Sequence, residues 1–324
     1  MVLNTLWIVH MDPLVAVVSL LRPRMVAAKM IGGRGRWAVR YRPTGSAGFG
    51  LVLSGEARLA VDGAAPVKMR AGDFVLIPPG SGFVMSSDPD AEPVVIDPDT
   101  TGGLTELRHG DPQGEPDFRM LGGYFAVEPA NVALLADLLP AMALVEAADE
   151  AARRLTGLIQ LVTDEAVSDR PGRGLILERL VEVLLVEALR YRPEHLKATT
   201  RPGLLGGLSD RRLAVALRCI HAEVARRWTV ADLAREAGLS RSAFSERFVE
   251  RIGMPPMEYV IQWRMALAKD MLLRQDIPLE TAAIAIGYES ASAFSTAFRR
   301  EVGLSPGHYA RAARASRPDA LAAR

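Results

Sequence analysis

The 324-residue chain holds a single cysteine, Cys219, so it cannot form an intramolecular disulfide. Cys219 lies within DRRLAVALRCIHAEVARRW, a helical pattern in which a lone thiol is expected as a small buried side chain and not as a redox switch. No uninterrupted apolar run reaches the ~18 residues of a membrane-spanning helix, so no such helix is expected. The opening MVLNTLWIVHMDPLVAVVSLLRPR lacks a positive leading region and is broken by Asp12 and Pro13, which argues against a secretory signal and for a cytoplasmic protein. Asp12 and Pro13 instead suit the cap and first turn of a short helix through Leu21; residues 1–10 then read as a disordered extension, with Met11 as the start. Histidine is also scarce, with none between His10 and His109. An overall excess of charge is absent too, with 39 Lys+Arg against 38 Asp+Glu.

The balance hides an asymmetry. Residues 201–324 carry 19 basic and 13 acidic side chains, a net of +6, whereas residues 1–200 carry 20 and 25, a net of −5. The basic part is also the part with an internal repeat: ADLAREAGLSRSAFSERFVERIG at 231–253 is answered by ETAAIAIGYESASAFSTAFRREVG at 280–303. Gly238 answers Gly287, Phe244 answers Phe294, Phe248 answers Phe298 and Gly253 answers Gly303. Each copy has the form of a helix-turn-helix. In the first, Thr229 caps a short helix with an apolar face of Ala231, Leu233, Ala234 and Ala237, Gly238 turns the chain, and Ser240 caps the next helix. Phe244 and Phe248, four residues apart, share a face and pin that helix, leaving Arg241, Ser242, Ser245, Glu246 and Arg251 on other faces. In the second copy Pro278 stands near the helix start, Ala282, Ile284, Ala285 and Ile286 supply apolar residues, and Gly287 turns the chain. Ser290 is the cap, and Ala291, Ser292, Ser295, Thr296, Arg299 and Arg300 form the outward set.

Between the copies, PPMEYVIQWRMALAKDMLLRQ has helical periodicity through Tyr259, Trp263, Met265, Ala268 and Leu272. A helix of ~20 residues spans roughly 30 Å, close to the ~34 Å that separates successive major-groove faces of B-DNA. On these landmarks residues 210–313 resemble the DNA-binding domain of the AraC/XylS transcription regulators. The matching segments are Ala-x-x-Ala-Gly-Leu-Ser at 234–240, Pro-x-x-Tyr-x-x-x-Trp-Arg at 256–264, Gly-Tyr-Glu-Ser at 287–290 and Phe-Arg-Arg-x-x-Gly-x-Ser-Pro at 298–306. The resemblance implies double-stranded DNA as partner. The caps and arginines then fix phosphate register, and a few outward side chains read bases. Glu246 can accept from cytosine N4 or pair with a neighbouring arginine. The short side chains of Ala291, Ser292, Ser295 and Thr296 favour thymine-methyl contacts, water-mediated contacts and shape readout over bidentate recognition of guanine.

The N-terminal half has another texture. From Trp37 to Met85 the chain falls into short segments such as FGLVLS, ARLAVD and DFVLIPPG, separated by Gly, Asp and Pro turns, a β-barrel or sandwich pattern. Residues 72–83, GDFVLIPPGSGF, resemble the second cupin motif, with Phe83 where that motif has histidine; Gly50 likewise occupies a position where a cupin often has one. Metal-binding cupins need imidazole and carboxylate ligands converging in the barrel. The other histidines, at 109, 195, 221 and 308, fall in expected loops or helices, so no metal, no cofactor and no catalysis is expected. Trp37, Gly50, Val52, Phe83 and Met85 are candidates to line an effector pocket or, equally, to fill a closed core.

Residues 86–117 read as loop with one short strand near Val94–Ile96, and 119–127 as a closing strand. Helices are expected at 131–139, 149–167 and 175–192. The last is apolar on more than one face: Leu177, Val181, Leu184, Leu185 and Ala188 either pack on the barrel or form a helix-pair dimer interface, as many members of the resembled family do.

The fold expected is therefore two-domain α+β. A cupin-like barrel with flanking helices occupies 11–192 (β part about 25–127, helical part about 131–192), a linker 193–209, and an all-α double helix-turn-helix domain 210–316, with a tail at 317–324. The function expected is sequence-specific transcription regulation, by a homodimer answering to a small-molecule effector and acting with RNA polymerase. Alternatives are a metal-free ligand-binding or isomerase-like cupin targeted to DNA, and a protein-binding adaptor working through the 175–192 helix.

Overall fold

The computed structural model describes residues 12–96, 106–127, 142–167, 170–190, 202–274 and 277–315. Expectations for 1–10, 131–139 and 317–324, and for His195, lie outside the described residues. The chain divides into two compact units: Leu21–Thr200, and Arg201–Arg324 together with Met1–Leu20.

Among the described residues the first unit has eleven strands in two sheets: β1 (Arg24–Arg34), β2 (Ala38–Tyr41), β3 (Ala47–Ser54), β4 (Glu56–Val61), β5 (Val67–Arg70), β6 (Phe74–Ile77), β7 (Phe83–Ser86), β8 (Val94–Ile96), β9 (Glu106–Gly110), β10 (Phe118–Ala126) and β11 (Ala143–Val145). One sheet runs β11-β6-β3-β10-β1-β9 and the other β5-β4-β7-β2-β8. Their inner faces meet in one core that includes Ile31, Trp37, Val39, Leu59, Met85 and Met120. The alternation in β4, with Ala57, Leu59 and Val61 buried and Glu56 and Arg58 exposed, is what puts one face of that strand inside. Helices α2 (Glu150–Val167) and α3 (Arg173–Arg190) pack on each other, and α3 also packs on β1. The loop expectation for 86–117 misses β9, which pairs in parallel with β1 and places His109 in a strand, not in a loop or helix. Residues 143–145 likewise add β11 to β6, in the part read as helical, between the helices expected at 131–139 and 149–167.

Helix α1 (Pro13–Leu21) forms as expected, with the Asp12 carboxylate accepting from Leu14 N at 2.9 Å. It groups with the C-terminal unit and not with the barrel ahead of which it stands in sequence.

The C-terminal unit comprises α4 (Leu204–Ser209), α5 (Arg211–Ala222), α6 (Val230–Glu236), α7 (Arg241–Ile252), α8 (Pro256–Arg274), α9 (Leu279–Ala285), α10 (Ala291–Val302) and α11 (Pro306–Ala315). Helix α4 lies in the stretch read as linker. Its glycines serve close packing: a Cβ on Gly206 would fall 2.5 Å from the carbonyl oxygen of Arg251, and one on Gly207 would fall 2.3 Å from Ile252 Cδ1. Two details of the apolar faces also differ from expectation. Ile284 is 57% exposed, and Ala283 takes its place in the core; Ala231 is exposed. Among the described residues no helix is long and apolar enough to cross a membrane.

Candidate functional site

Each helix-turn-helix is fixed by the same set of local devices. Thr229 Oγ1 accepts from Asp232 N at 3.1 Å while the Asp232 carboxylate accepts from Thr229 N, a reciprocal cap that starts α6. Gly238 and Gly287 turn the chain at φ 63° and 85°, a left-handed backbone that a side chain would strain. Ser240 and Ser290 cap α7 and α10 by accepting from Ala243 N and Ala293 N at 3.3 and 3.2 Å. Phe244, Phe248, Phe294 and Phe298 are all fully buried, and within each pair the rings stand 5.5 Å apart. The repeat runs further than the sequence reading took it. Phe248 meets Tyr259 edge-on at 5.8 Å, and Phe298 meets Tyr309 edge-on at 5.5 Å. Pro256 with Pro306 and Tyr259 with Tyr309 therefore extend the match at a constant offset of 50, a signal present in the sequence.

The long helix α8 ties the two copies together. The Arg264 guanidinium donates to the carbonyls of Val224 (2.9 and 3.1 Å) and Arg226 (2.8 Å), the backbone that follows α5. Burial lowers its pKa below the usual arginine range. Arg227 and Glu289 form an ion pair from one copy to the other. Beneath them His221 Nε2 and Tyr259 Oη are hydrogen-bonded at 2.8 Å, and His221 lies 4.1 Å from the Trp263 ring; burial pushes the imidazole down to about 3, so it is neutral near pH 7. Cys219 is half-buried, and its thiol is pushed up first of all by burial.

What these devices leave outside is the outward face. On α7, Arg241, Ser242 and Glu246 are exposed and Ser245 is half-buried. Glu246 has no ion-pair partner among the described residues. Of the two readings open from sequence, pairing with a neighbouring arginine is thus not made. On α10, Ser292, Thr296, Arg299 and Arg300 are exposed, and Ala291 and Ser295 half-buried. Thr296 Oγ1 donates to Ser292 O at 3.1 Å, which commits its hydroxyl to the backbone. Ala291 N, at the head of α10, donates to the Glu280 carboxylate at 2.9 Å, so that helix start already carries an anion. Sequence reasoning did not single out Glu280.

In the barrel, a cavity of about 90 Å³ is lined in part by Gly50, Phe83 and Met85, while Trp37 and Val52 belong to the closed core. Phe83 stacks on Tyr41 at 4.7 Å. Neither Phe83 nor Gly50 offers a side-chain donor where a metal-binding cupin places imidazole, and the residues present do not fit such a centre. Tyr41 Oη and His109 Nε2 are hydrogen-bonded at 3.2 Å inside the barrel. Burial lowers His109 to about 4 and raises Tyr41.

The helix read as a dimer element uses its apolar faces within the chain. Val181, Leu184, Leu185 and Ala188 are buried and Leu177 is half-buried, because α3 packs on both α2 and β1. Its exposed apolar side chains are Leu175, Ile176 and Val183, at 59%, 43% and 46%.

A cupin family pattern matches residues 12–192, and a helix-turn-helix domain pattern matches residues 233–312. Among curated proteins, an AraC-like transcription regulator of Streptomyces lividans is 36% identical over 305 residues, covering 92% of this chain and 98% of that protein. A second, from Streptomyces antibioticus, is 34% identical over 306 residues, covering 92% and 98%. Among solved structures, the DNA-binding domain of AdpA in complex with a target DNA matches 34% of this chain and 99% of its own at 31% identity and a TM-score of 0.32. With a cupin domain ahead of two capped helix-turn-helix units, the chain belongs to the AraC-like family of DNA-binding transcription regulators.

Proposed function

We propose that α7 and α10 enter successive major-groove segments of one duplex and read it unequally. The observation that carries this is the spacing device: α8, 19 residues and thus about 28 Å long, separates two outward helices whose capped starts repeat at one offset. Arg241, Ser242, Ser245 and Glu246 are the reading set of α7. Ala291, Ser292, Ser295 and Thr296 give α10 apolar contact and shape readout. Thr229, Ser240, Ser290, Arg299 and Arg300 hold phosphates, a charge-driven contribution that weakens as salt rises. We place the protein in the cytoplasm with its DNA and give the barrel no catalytic step. It is a regulatory domain that receives a small-molecule effector, and RNA polymerase is the partner whose recruitment or exclusion the bound protein sets.

Selection of genomic fragments by the purified full-length chain, followed by footprinting at near-physiological salt, tests this reading. Protection of two adjacent major-groove segments per protomer is expected. A footprint of a single segment, or enrichment of no sequence at all, would sink it. We place the homodimer contact on Leu175, Ile176 and Val183. Val183→Glu is then expected to shift sedimentation from dimer to monomer, and a wild-type chain that sediments as a monomer overturns that placement.

A further inference from the structure

A single helix between two bodies fixes how far apart they stand and leaves their rotation about its axis to whatever else joins them. In the C-terminal unit a second joint exists, at the segment between α5 and α6. Its carbonyls are committed one after another. Glu223 O accepts from Arg226 N at 3.0 Å and from Trp228 Nε1 at 3.1 Å. Val224 O accepts from both Arg264 Nε and Nη2, and Arg226 O accepts from Arg264 Nη2 and from Trp228 N. The Arg226 guanidinium lies 3.9 Å over the Trp228 ring, which stiffens the segment from within.

Arg264 reaches this segment from the middle of α8, and the second helix-turn-helix meets it at the same point. Gly287, at the turn between α9 and α10, sits so close that a Cβ there would lie 2.5 Å from Ala225 O and 2.7 Å from Arg264 Nη2. The Tyr288 ring stands 5.9 Å from the Arg264 guanidinium, and Glu289 pairs with Arg227. The spacer helix, the approach to the first copy and the turn of the second copy thus converge on one side chain. Its planar fork holds two carbonyls of one short segment in a fixed geometry, which a lysine's flexible point charge does not.

We propose that Arg264 is a positioning residue for DNA: it locks the second helix-turn-helix in one orientation about α8, so that the chain accepts one spacing between its two groove segments and rejects the neighbouring ones. This inference rests on the reading of α7 and α10 in successive groove segments, and it adds that a side chain, as well as the length of α8, sets the spacing. One base pair inserted between the segments displaces the second by about 3.4 Å and turns it by roughly 35°. A locked pair of helices cannot follow both changes and gives up base contacts at one segment, whereas an unlocked pair follows by rotating.

Competition binding of the full-length chain tests it, on the footprinted site and on copies with one base pair added or removed between the protected segments. The wild-type chain is expected to bind the altered copies about tenfold or more weakly, the loss of roughly one good base contact. In Arg264→Met that ratio is expected to fall to about threefold or less, with Arg264→Lys in between. A variant that merely unfolds more readily loses affinity on every spacing by one factor and keeps the ratio. Where Arg264→Met does not fold, the ratio is read in Glu289→Arg, an exposed change that sets two like charges against each other at the same joint and is expected to lower the ratio about twofold. Its added positive charge raises affinity on all spacings alike and cancels in the ratio. A wild-type chain indifferent to spacing, or a wild-type ratio kept in the variant that is read, would overturn the proposal. Two protected segments together with either result leave the groove reading standing; a single protected segment removes both.

Discussion

The two helix-turn-helix units share a scaffold and differ in what they show to a phosphate or a base. Both bury two phenylalanines four residues apart, both meet a tyrosine edge-on from the following helix, and both start the outward helix on a serine cap. The first then offers Arg241 near the start of its helix and, in the middle, an exposed Glu246 with no ion-pair partner among the described residues. The second has a carboxylate, Glu280, already bonded to its helix start, short side chains along the middle, and its charge at the far end in Arg299 and Arg300. Positions that pack inward allow little variation, because buried volume must be filled; positions that face outward are free to diverge in chemistry. The two copies share a holder and differ in what it holds.

That comparison can be tested at several depths. If the scaffolds are equivalent, Phe248→Ala and Phe298→Ala should each cost about 3–5 kcal/mol, read from the urea midpoint of the C-terminal unit. A much smaller loss in one would show that the two cores are not equivalent.

The turns should separate next. Both Gly238→Ala and Gly287→Ala force a side chain into the left-handed region, at about 1–2 kcal/mol. Only Gly287 would also drive its Cβ to 2.5 Å from the carbonyl oxygen of Ala225, whereas the nearest atom to a Cβ on Gly238 is Arg212 Nη1 at 3.9 Å. The second variant should therefore melt lower than the first, and a reversed order would refute the packing argument.

On the outward faces, Glu246→Ala should lose about 1–2 kcal/mol of discrimination at one base position. Ser292→Ala should change discrimination by less than about 1 kcal/mol. Competition binding against a library of single-base changes measures both, and an equal or larger effect at Ser292 would invert the assignment.

The smallest effects are electrostatic. Arg299→Ala should weaken binding to matched and scrambled DNA alike and flatten the salt slope by about 0.9. Glu280→Gln should strengthen binding a few-fold on any sequence, by removing an anion from the head of α10; unchanged affinity would mean that no phosphate approaches there.

The double helix-turn-helix was legible from sequence because every device in it is local. Caps, turn glycines and a Phe pair at i and i+4 all fall within ~20 residues, so spacing alone places them. The barrel was legible only as a set of strands. Strand β9 went unseen because ELRHG lies in a stretch rich in Pro, Asp and Gly, and its partner β1 lies more than seventy positions earlier. His109 was misplaced for the same reason. The apolar excess of α3 was visible, but the one-dimensional pattern cannot tell a face covered by β1 from a face awaiting a second copy. Glu280 escaped notice because it bonds to the next helix, not within its own. The adjacency of Lys29, Gly122 and Gly50 needed strand register, which sets them side by side from three distant segments.

Helix α4 shows how a glycine pair can be mistaken for slack. Gly203 N donates to Arg251 O at 2.9 Å, Leu204 and Leu205 are buried, and the backbone at Gly206 and Gly207 rests on the last turn of α7. The doorway into the DNA-binding unit is thus bolted to the exit of its first reading helix. A fragment cut at residue 210, where the sequence suggests a clean start, would strip that bolt and bare Ile252 and Leu217. One cut before residue 203 keeps it, so for this unit the boundary of the working part lies upstream of the apparent boundary of the motif.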